Sequence, residues 1–235
     1  MQVRPIKTRV FKENENLVSF IRSHIPKLKE GSVLVITSKI IGLAEGRTIR
    51  DTSEKSKERA VKAESERAIK TKWVWLTLKD GMAMANAGLD ASNADGKFIL
   101  LPKDSFVCAK KARAILKKAY GVKKLGILIT DSRTTPLRAG VTGVALGYAG
   151  FKAVHDYRKE KDIFGRPFKY EQSNIADGLA AAAVLVMGEG KERIPLTVIE
   201  GAPVVFTENV NRKELVIPLQ DDMYLPFLSK LLKKK

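Results

Sequence analysis

The hydrophobic pattern changes period several times along the chain. Residues 33–37, VLVIT, form an apolar run rich in β-branched side chains, which predicts a buried strand. Residues 53–71, SEKSKERAVKAESERAIKT, carry few apolar positions and many charges, and predict an exposed helix. KWVWLTL (72–78) alternates as a strand does, and KFILLP (97–102) predicts another. Asp104 or Ser105 is placed to cap a helix running through KKARAILKKAYGVKK (110–124), where Ala112, Ile115, Leu116 and Ala119 recur at helical spacing. LGILIT (125–130) is a short apolar strand that delivers Asp131 at its end. GVTGVALGYAG (140–150) predicts a strand whose glycines let another backbone come close. SNIADGLAAAAVLVMGEG (173–190) predicts a helix with a small-residue face, capped by Ser173 or Asn174, and PLTVIEG (195–201) a late strand.

Strands and helices mix without a strict βαβ rhythm, so the class is α+β. No internal repeat, low-complexity tract or Pro/Gly-rich linker divides the 235 residues, which predicts one unit over 1–235. No apolar run approaches the roughly 18 residues of a membrane span. The first residues, MQVRPIKTRVFKENENL, lack the apolar core of a signal peptide, and a cytoplasmic protein is expected. The lone cysteine, Cys108, excludes an internal disulfide and reads as a buried small hydrophobe.

Charge changes the picture. Forty-three Lys and Arg oppose 26 Asp and Glu, a net charge of +17. Such a field draws polyanions, nucleotides and acidic metabolites. Much of the excess lies in 110–124, where a solvated helix face accounts for it; the terminal LLKKK reads as a mobile tail.

Three acids stand out by setting. Asp90 lies in NAGLDASN (86–93), Asp131 follows an apolar strand in ITDS, and Glu189 follows the small-residue helix in VMGEG. A hard divalent cation on nucleotide phosphates takes oxygen ligands and few carboxylates, and three such acids could supply them. Taken singly, each also fits a turn acid or a helix cap. Ser38 and Lys39 follow a strand, where Lys39 could meet a phosphate as a point charge. There is no Walker A loop, no G-x-G-x-x-G before a helix and no serine-hydrolase elbow. His24 and His155 make no zinc pair with Cys108.

Six phrases occur in order: TSKIIGLAEGR (37–47), NAGLDASN (86–93), ITDS (129–132), RAGVTGVALGYAG (138–150), DIFGR (162–166) and ADGLAAAAVLVMGEG (176–190). Together they resemble the coenzyme F-420 gamma-glutamyl ligase family, over roughly residues 31 to 201. The resemblance implies a mixed-sheet α+β fold in an intertwined homodimer. It implies GTP-dependent joining of L-glutamate to a carboxylate through an amide, with Mg²⁺ or Mn²⁺ at two sites. Carried over by motif, Asp90 is similar to the acid at a first metal and Asn93 to a nucleotide contact. Asp131 resembles an acid shared by the metals, with Ser132 and Glu189 at the second. Ser38, Lys39 and the stretch Met187 to Ile194, with Gly188, Gly190 and Lys191, resemble nucleotide contacts. Asp131 and Arg138 would serve the chemistry.

Two departures concern the acceptor and the grip on nucleotide phosphate. Many relatives read S-K-A-E-G where this chain has GLAEG, with Leu43 in place of lysine. Many read D-S-x-G-R-P-W-R where it has DSRTTPLR, without the indole. An F-420-0-like or a folate-like acceptor is expected. Two other readings are a basic nucleic-acid-binding protein, for which only Trp73 and Trp75 near lysines speak, and a ligase-like scaffold without activity, against which the three acids speak. No specific nucleic acid and no membrane contact are expected.

Overall fold

The computed structural model describes residues 1–158 and 160–226. The elements run β1 (Gln2–Ile6), α1 (Leu17–His24), β2 (Ser32–Thr37), α2 (Ser38–Ala44), β3 (Thr48–Ile49), α3 (Glu54–Ala63), β4 (Arg67–Lys70), β5 (Trp75–Lys79) and β6 (Met82–Ala85). There follow β7 (Phe98–Ile99), α4 (Ser105–Tyr120), β8 (Leu125–Arg133), β9 (Thr142–Ala149), β10 (Val154–Asp156), β11 (Gln172–Asn174), α5 (Ile175–Met187) and β12 (Leu196–Glu200). The central sheet has the order β1-β12-β2-β8-β9. Only β2 and β8 run parallel; every other pairing in it is antiparallel. The mixed sheet and unsegregated helices match the α+β expectation.

The VLVIT run is continuous because β2 is buried on both faces. Leu34 and Ile36, with Ile127 and Ile129 of β8, meet Phe20 and Ile21 of α1, Ile40 and Ile41 of α2, and Ala109, Ala112 and Leu116 of α4. Val33, Val35 and Leu128 point the other way, onto Ala176, Leu179, Ala180 and Ala183 of α5. Each such aliphatic side chain contributes roughly 1.5–3 kcal/mol when fully buried.

A bulge at Leu146 explains the glycines of β9. Ile129 pairs with Gly147 but Thr130 with Ala145, so Leu146 has no partner and the alternation flips. Ala145 before the bulge and Tyr148 after it therefore share the α5 side. A Cβ on Gly143 would stand 2.4 Å from the carbonyl oxygen of Ala180, and one on Gly147 would stand 2.6 Å from the Ser105 backbone. Both helices thus touch the strand backbone directly, as the close approach read from 140–150 requires.

Several expectations are corrected. The exposed helix over 53–71 stops at Ala63, and Arg67–Lys70 forms β4 in a three-stranded β4-β5-β6 sheet. Pairing with β5 outweighs local helix preference there. The strand expected at 72–78 starts only at Trp75, because residues before it turn the β4–β5 hairpin. The strand at 97–102 shrinks to Phe98–Ile99. The helix at 173–190 ends at Met187, leaving Gly188–Gly190 free to form a loop. β8 runs through Asp131 to Arg133 rather than ending before it. Ile115 is half exposed on α4, while Arg113 takes a buried place. Trp73 is 81% exposed and belongs to no core. Cys108 is only half-buried and donates to Glu45 Oε1 at 2.8 Å; burial, then the Glu45 carboxylate, push its thiol up to about 12. Asp104 and Asn174 are the observed caps, accepting from the Val107 and Asp177 amides. The tail at 231–235 lies outside the described residues. No helix among the described residues is long and apolar enough to cross a membrane.

Candidate active site

The parallel pairing of β2 and β8 sets the site. Thr37 lies opposite Thr130 at the last rung, so Ser38 and Lys39 leave β2 beside the point where Asp131, Ser132 and Arg133 finish β8. The Thr37 amide donates to the carbonyl of Pro195 at 3.0 Å, which brings the loop after α5 to the same edge. The 86–97 loop closes the remaining side through two backbone bonds between Asp90 and Ile99, at 3.0 and 2.8 Å. These segments enclose an open cleft of about 620 Å³.

Nearly every residue expected at the site lines this cleft. Ser38, Lys39, Asp90, Asn93, Asp131, Ser132, Met187, Gly188, Glu189, Gly190 and Lys191 all face it, from four separate segments. Arg138 does not; it is exposed on the 134–141 loop.

Each acid has a neutralising or donating partner. Lys39 Nζ stands 2.7 Å from Asp90 Oδ2, and donates to Ser92 O at 2.8 Å. Ser92 supports the same carboxylate through its amide at 2.7 Å and its hydroxyl at 3.0 Å. Burial pushes the Asp90 carboxyl up, but the Lys39 and Ser92 donors outweigh it, and its pKa lies below the usual aspartate value. Arg133 Nη1 donates to Asp131 Oδ2, and Ser132 Oγ donates to Glu189 Oε1 at 2.6 Å. Asn93, at φ 50°, donates from Nδ2 to Gly190 O at 2.9 Å, tying the Asp90 loop to the 187–194 loop. Asn tolerates that left-handed backbone better than other residues with a Cβ.

The sequence pointed past several of these residues. Arg133 follows Asp131 by two on a strand, so period-2 geometry alone places both on one face. Its side chain is only 10% exposed, and its Nε is buried without a hydrogen-bond partner. Glu192 accepts from the Gly190 amide at 2.8 Å and fills the space beside Gly188, where a Cβ would stand 2.5 Å from its carboxyl carbon. The Glu192 side chain can swing aside, but φ 76° and ψ 167° at 188 are a backbone that favours glycine.

Among the described residues, no three His, Cys, Asp or Glu side chains stand together as a metal-holding group. Among the groups that face the cleft are oxygen donors from Asp90, Asp131, Ser132 and Glu189, beside the cations Lys39, Arg133 and Lys191. That donor chemistry fits a hard divalent cation, which takes one or two protein carboxylates and fills its shell with water and substrate phosphate. A cation on Asp131 would compete with Arg133, and one on Asp90 with Lys39.

The family model for F420-0:Gamma-glutamyl ligase matches residues 5–201. The chain is similar to the Coenzyme F420:L-glutamate ligase of Methanocaldococcus jannaschii, with 32% identity covering 95% of this chain and 96% of that one. It is similar to the protein of that name from Archaeoglobus fulgidus, at 36% identity over 83% and 85%. The one from Methanosarcina mazei shares 33% identity over 97% and 96%.

Proposed function

The chain belongs to the F420-0:gamma-glutamyl ligase family, and we propose that it joins L-glutamate to the carboxylate of an anionic acceptor at the cleft between β2, β8 and the 86–97 loop, with GTP as the phosphoryl donor. The observation that carries this reading is the cleft itself. Oxygen donors on three walls face Lys39 and a glycine-rich loop within one space of about 620 Å³.

The chemistry needs such a space. A carboxylate does not condense with an amine, because hydroxide leaves poorly. In the proposed first step an acceptor carboxylate oxygen attacks the γ-phosphorus and GDP departs. In the second, the glutamate nitrogen attacks the acyl carbon, phosphate departs with the bonding pair, and the nitrogen loses its proton. Both steps gather negative charge at the phosphoryl oxygens, so positioned positive charge lowers both barriers. Lys39 supplies a fixed ammonium at the mouth of β2. The Gly188–Gly190 loop supplies close backbone approach. Asp90, Asp131, Ser132 and Glu189 would hold Mg²⁺ or Mn²⁺, which neutralises phosphate charge when bound. Thermal melts test this arm: GTP with Mn²⁺ should raise the Tm more than either alone, and no shift would count against it.

The acceptor is an F420-0-like or folate-like acid. Thr134 lines the cleft, whereas Leu137, where many relatives carry the indole, is fully exposed. Where such an indole reaches an acceptor ring, stacking is worth on the order of 1 kcal/mol beyond its area, and its absence would shift acceptor preference several-fold. A mixture of both acceptors with glutamate and GTP, its products weighed by mass, decides between them; efficient glutamylation of F420-0 with the folate ignored rules out redirection.

A homodimer completes the proposal. The small-residue helix α5 and the glycine-rich strand β9 pack on each other within one chain, through Gly143 and Ala180. The exposed Ile163, Phe164 and Leu185 are the side chains that support a second-copy contact. A monomeric mass by light scattering at micromolar concentration would contradict it.

A further inference from the structure

β8 runs from Leu125 to Asp131 and beyond, so its start lies about 20 Å from the acid at the cleft. At that far end a second hollow, about 930 Å³, opens between α4 and the 208–212 segment. Its lining is strongly one-signed. Lys110, Arg113, Lys117, Lys118, Lys123 and Arg212 face it against a single carboxylate, Glu208. The hollow already holds that one anion closely. Arg113 Nη1 and Nη2 reach the Glu208 oxygens at 2.6 and 2.8 Å, and Lys117 Nζ adds a third bond at 2.9 Å. Those donors hold the Glu208 carboxyl down at about 2. Arg212 is occupied by Asp104 at 2.9 Å while lying over the Phe106 ring.

Lys110 and Lys118 are left over, with no carboxylate in ion-pair contact among the described residues; Lys123 forms no close ion pair either, although its amide donates to Glu30 Oε2 at 2.8 Å. Lys110 and Lys118 are about 12 Å apart along the α4 axis, so no single compact anion satisfies both. Apolar side chains line the hollow as well: Phe106 under the Arg212 guanidinium, with Val107, Val122 and Val210. A spaced row of cations beside apolar side chains suits a strand of phosphates carrying flat bases. A concave floor suits splayed single-stranded bases better than a duplex rod.

We propose that the groove between α4 and residues 208–212 binds single-stranded RNA without sequence preference, through backbone contacts from Lys110, Lys118 and Lys123. None of the three lines the catalytic cleft, so this binding is separate from the ligase reaction. It gives the positive charge of the 110–124 stretch a function beyond solubility.

Anisotropy of a labelled ten-nucleotide oligouridine with the full chain, over a series of KCl concentrations, tests it. The wild type should bind, and K110E/K118E/K123E should bind at least tenfold more weakly. The slope of log K against log salt should flatten by about 2, since each single-strand phosphate contact contributes about 0.7. Circular dichroism and thermal melting check that the variant is folded, and K110A/K118A/K123A provides a milder set if it is not. Glutamyl transfer should be unchanged. No binding by the wild type, or an unchanged slope in folded variants, overturns the proposal. Full displacement by equimolar tripolyphosphate would show a site for a compact phosphate, and would overturn it too.

Discussion

Asp90 and Asp131 reach one cleft from opposite kinds of backbone. Asp131 stands in β8, paired with Val144 across the ladder and inside the sheet that forms the core. Asp90 stands in a loop where Asn86, Ala87, Asn93 and Asp95 all have positive φ. The strand acid is placed by the backbone, and its cation, Arg133, comes from the same strand. The loop acid is placed by side chains, Lys39 and Ser92, and by the Asn93 bond to Gly190. The difference teaches that removing the strand acid should remove chemistry and spare structure. Removing a side chain that braces the loop should loosen geometry and affect binding first.

The sharpest break is Asp131→Asn, which removes charge at nearly constant volume. We expect glutamyl transfer to fall about a hundred- to a thousand-fold, the range for removing one preorganised electrostatic group, with Tm nearly unchanged. Retained activity would remove Asp131 from the site. Gly143→Ala comes next. Gly143 pairs with Ser132 and touches the Ala180 carbonyl, so the added methyl must push β9 from α5. Overpacking costs about 1–3 kcal/mol, measured by urea denaturation, and should also lower activity through Ser132.

Lys39→Met attacks the loop acid. Its stability cost should be no more than about 1 kcal/mol, because Asp90 is 43% exposed, but the KM for GTP should rise more than kcat falls. A pure kcat effect would show that Lys39 does not hold nucleotide. Arg133→Met should act in the opposite sense. It frees Asp131 of an internal cation, so titration calorimetry should find Mn²⁺ binding several-fold tighter. Weaker binding would make Arg133 a support of the metal site.

The smallest effect is with pH. The Asp90 pKa is depressed on folding, so its charge stabilises the fold above the ordinary aspartate value of 3.8 and is lost as pH falls through the lower folded value. The stability difference between wild type and Asp90→Asn should therefore be full at neutral pH and shrink below about pH 4. A constant difference down to pH 2 would refute the Lys39–Asp90 account.

The same contrast explains what the sequence disclosed. β2, β8, α4 and α5 were legible because each combines a strong period with a clear stop or cap, as Asp104 and Asn174 show. The cleft residues were legible through short phrases that keep their order. β1 and α1 went unread, and so did β6, because the Met/Ala alternation of MAMA covers only four residues and both residue types are apolar. Residues 67–70 fell within the expected helix because only pairing with β5 makes them a strand. Arg133 was available from its two-residue spacing to Asp131, but its burial depends on Met84, whose sulfur stands 3.3 Å from Nη2, and no local pattern announces that neighbour.

The central claim is that this cleft makes a glutamyl amide. The direct measurement incubates the purified chain with GTP, L-glutamate, Mn²⁺ and F420-0 or a folate, and reads the acceptor's mass and the phosphate released. The account predicts acceptor heavier by one or more glutamyl units, one phosphate released per unit added, and both slowed about a hundred-fold or more with Asp131→Asn. Release of phosphate without glutamylated product from either acceptor, or product formed equally well by Asp131→Asn, would contradict it.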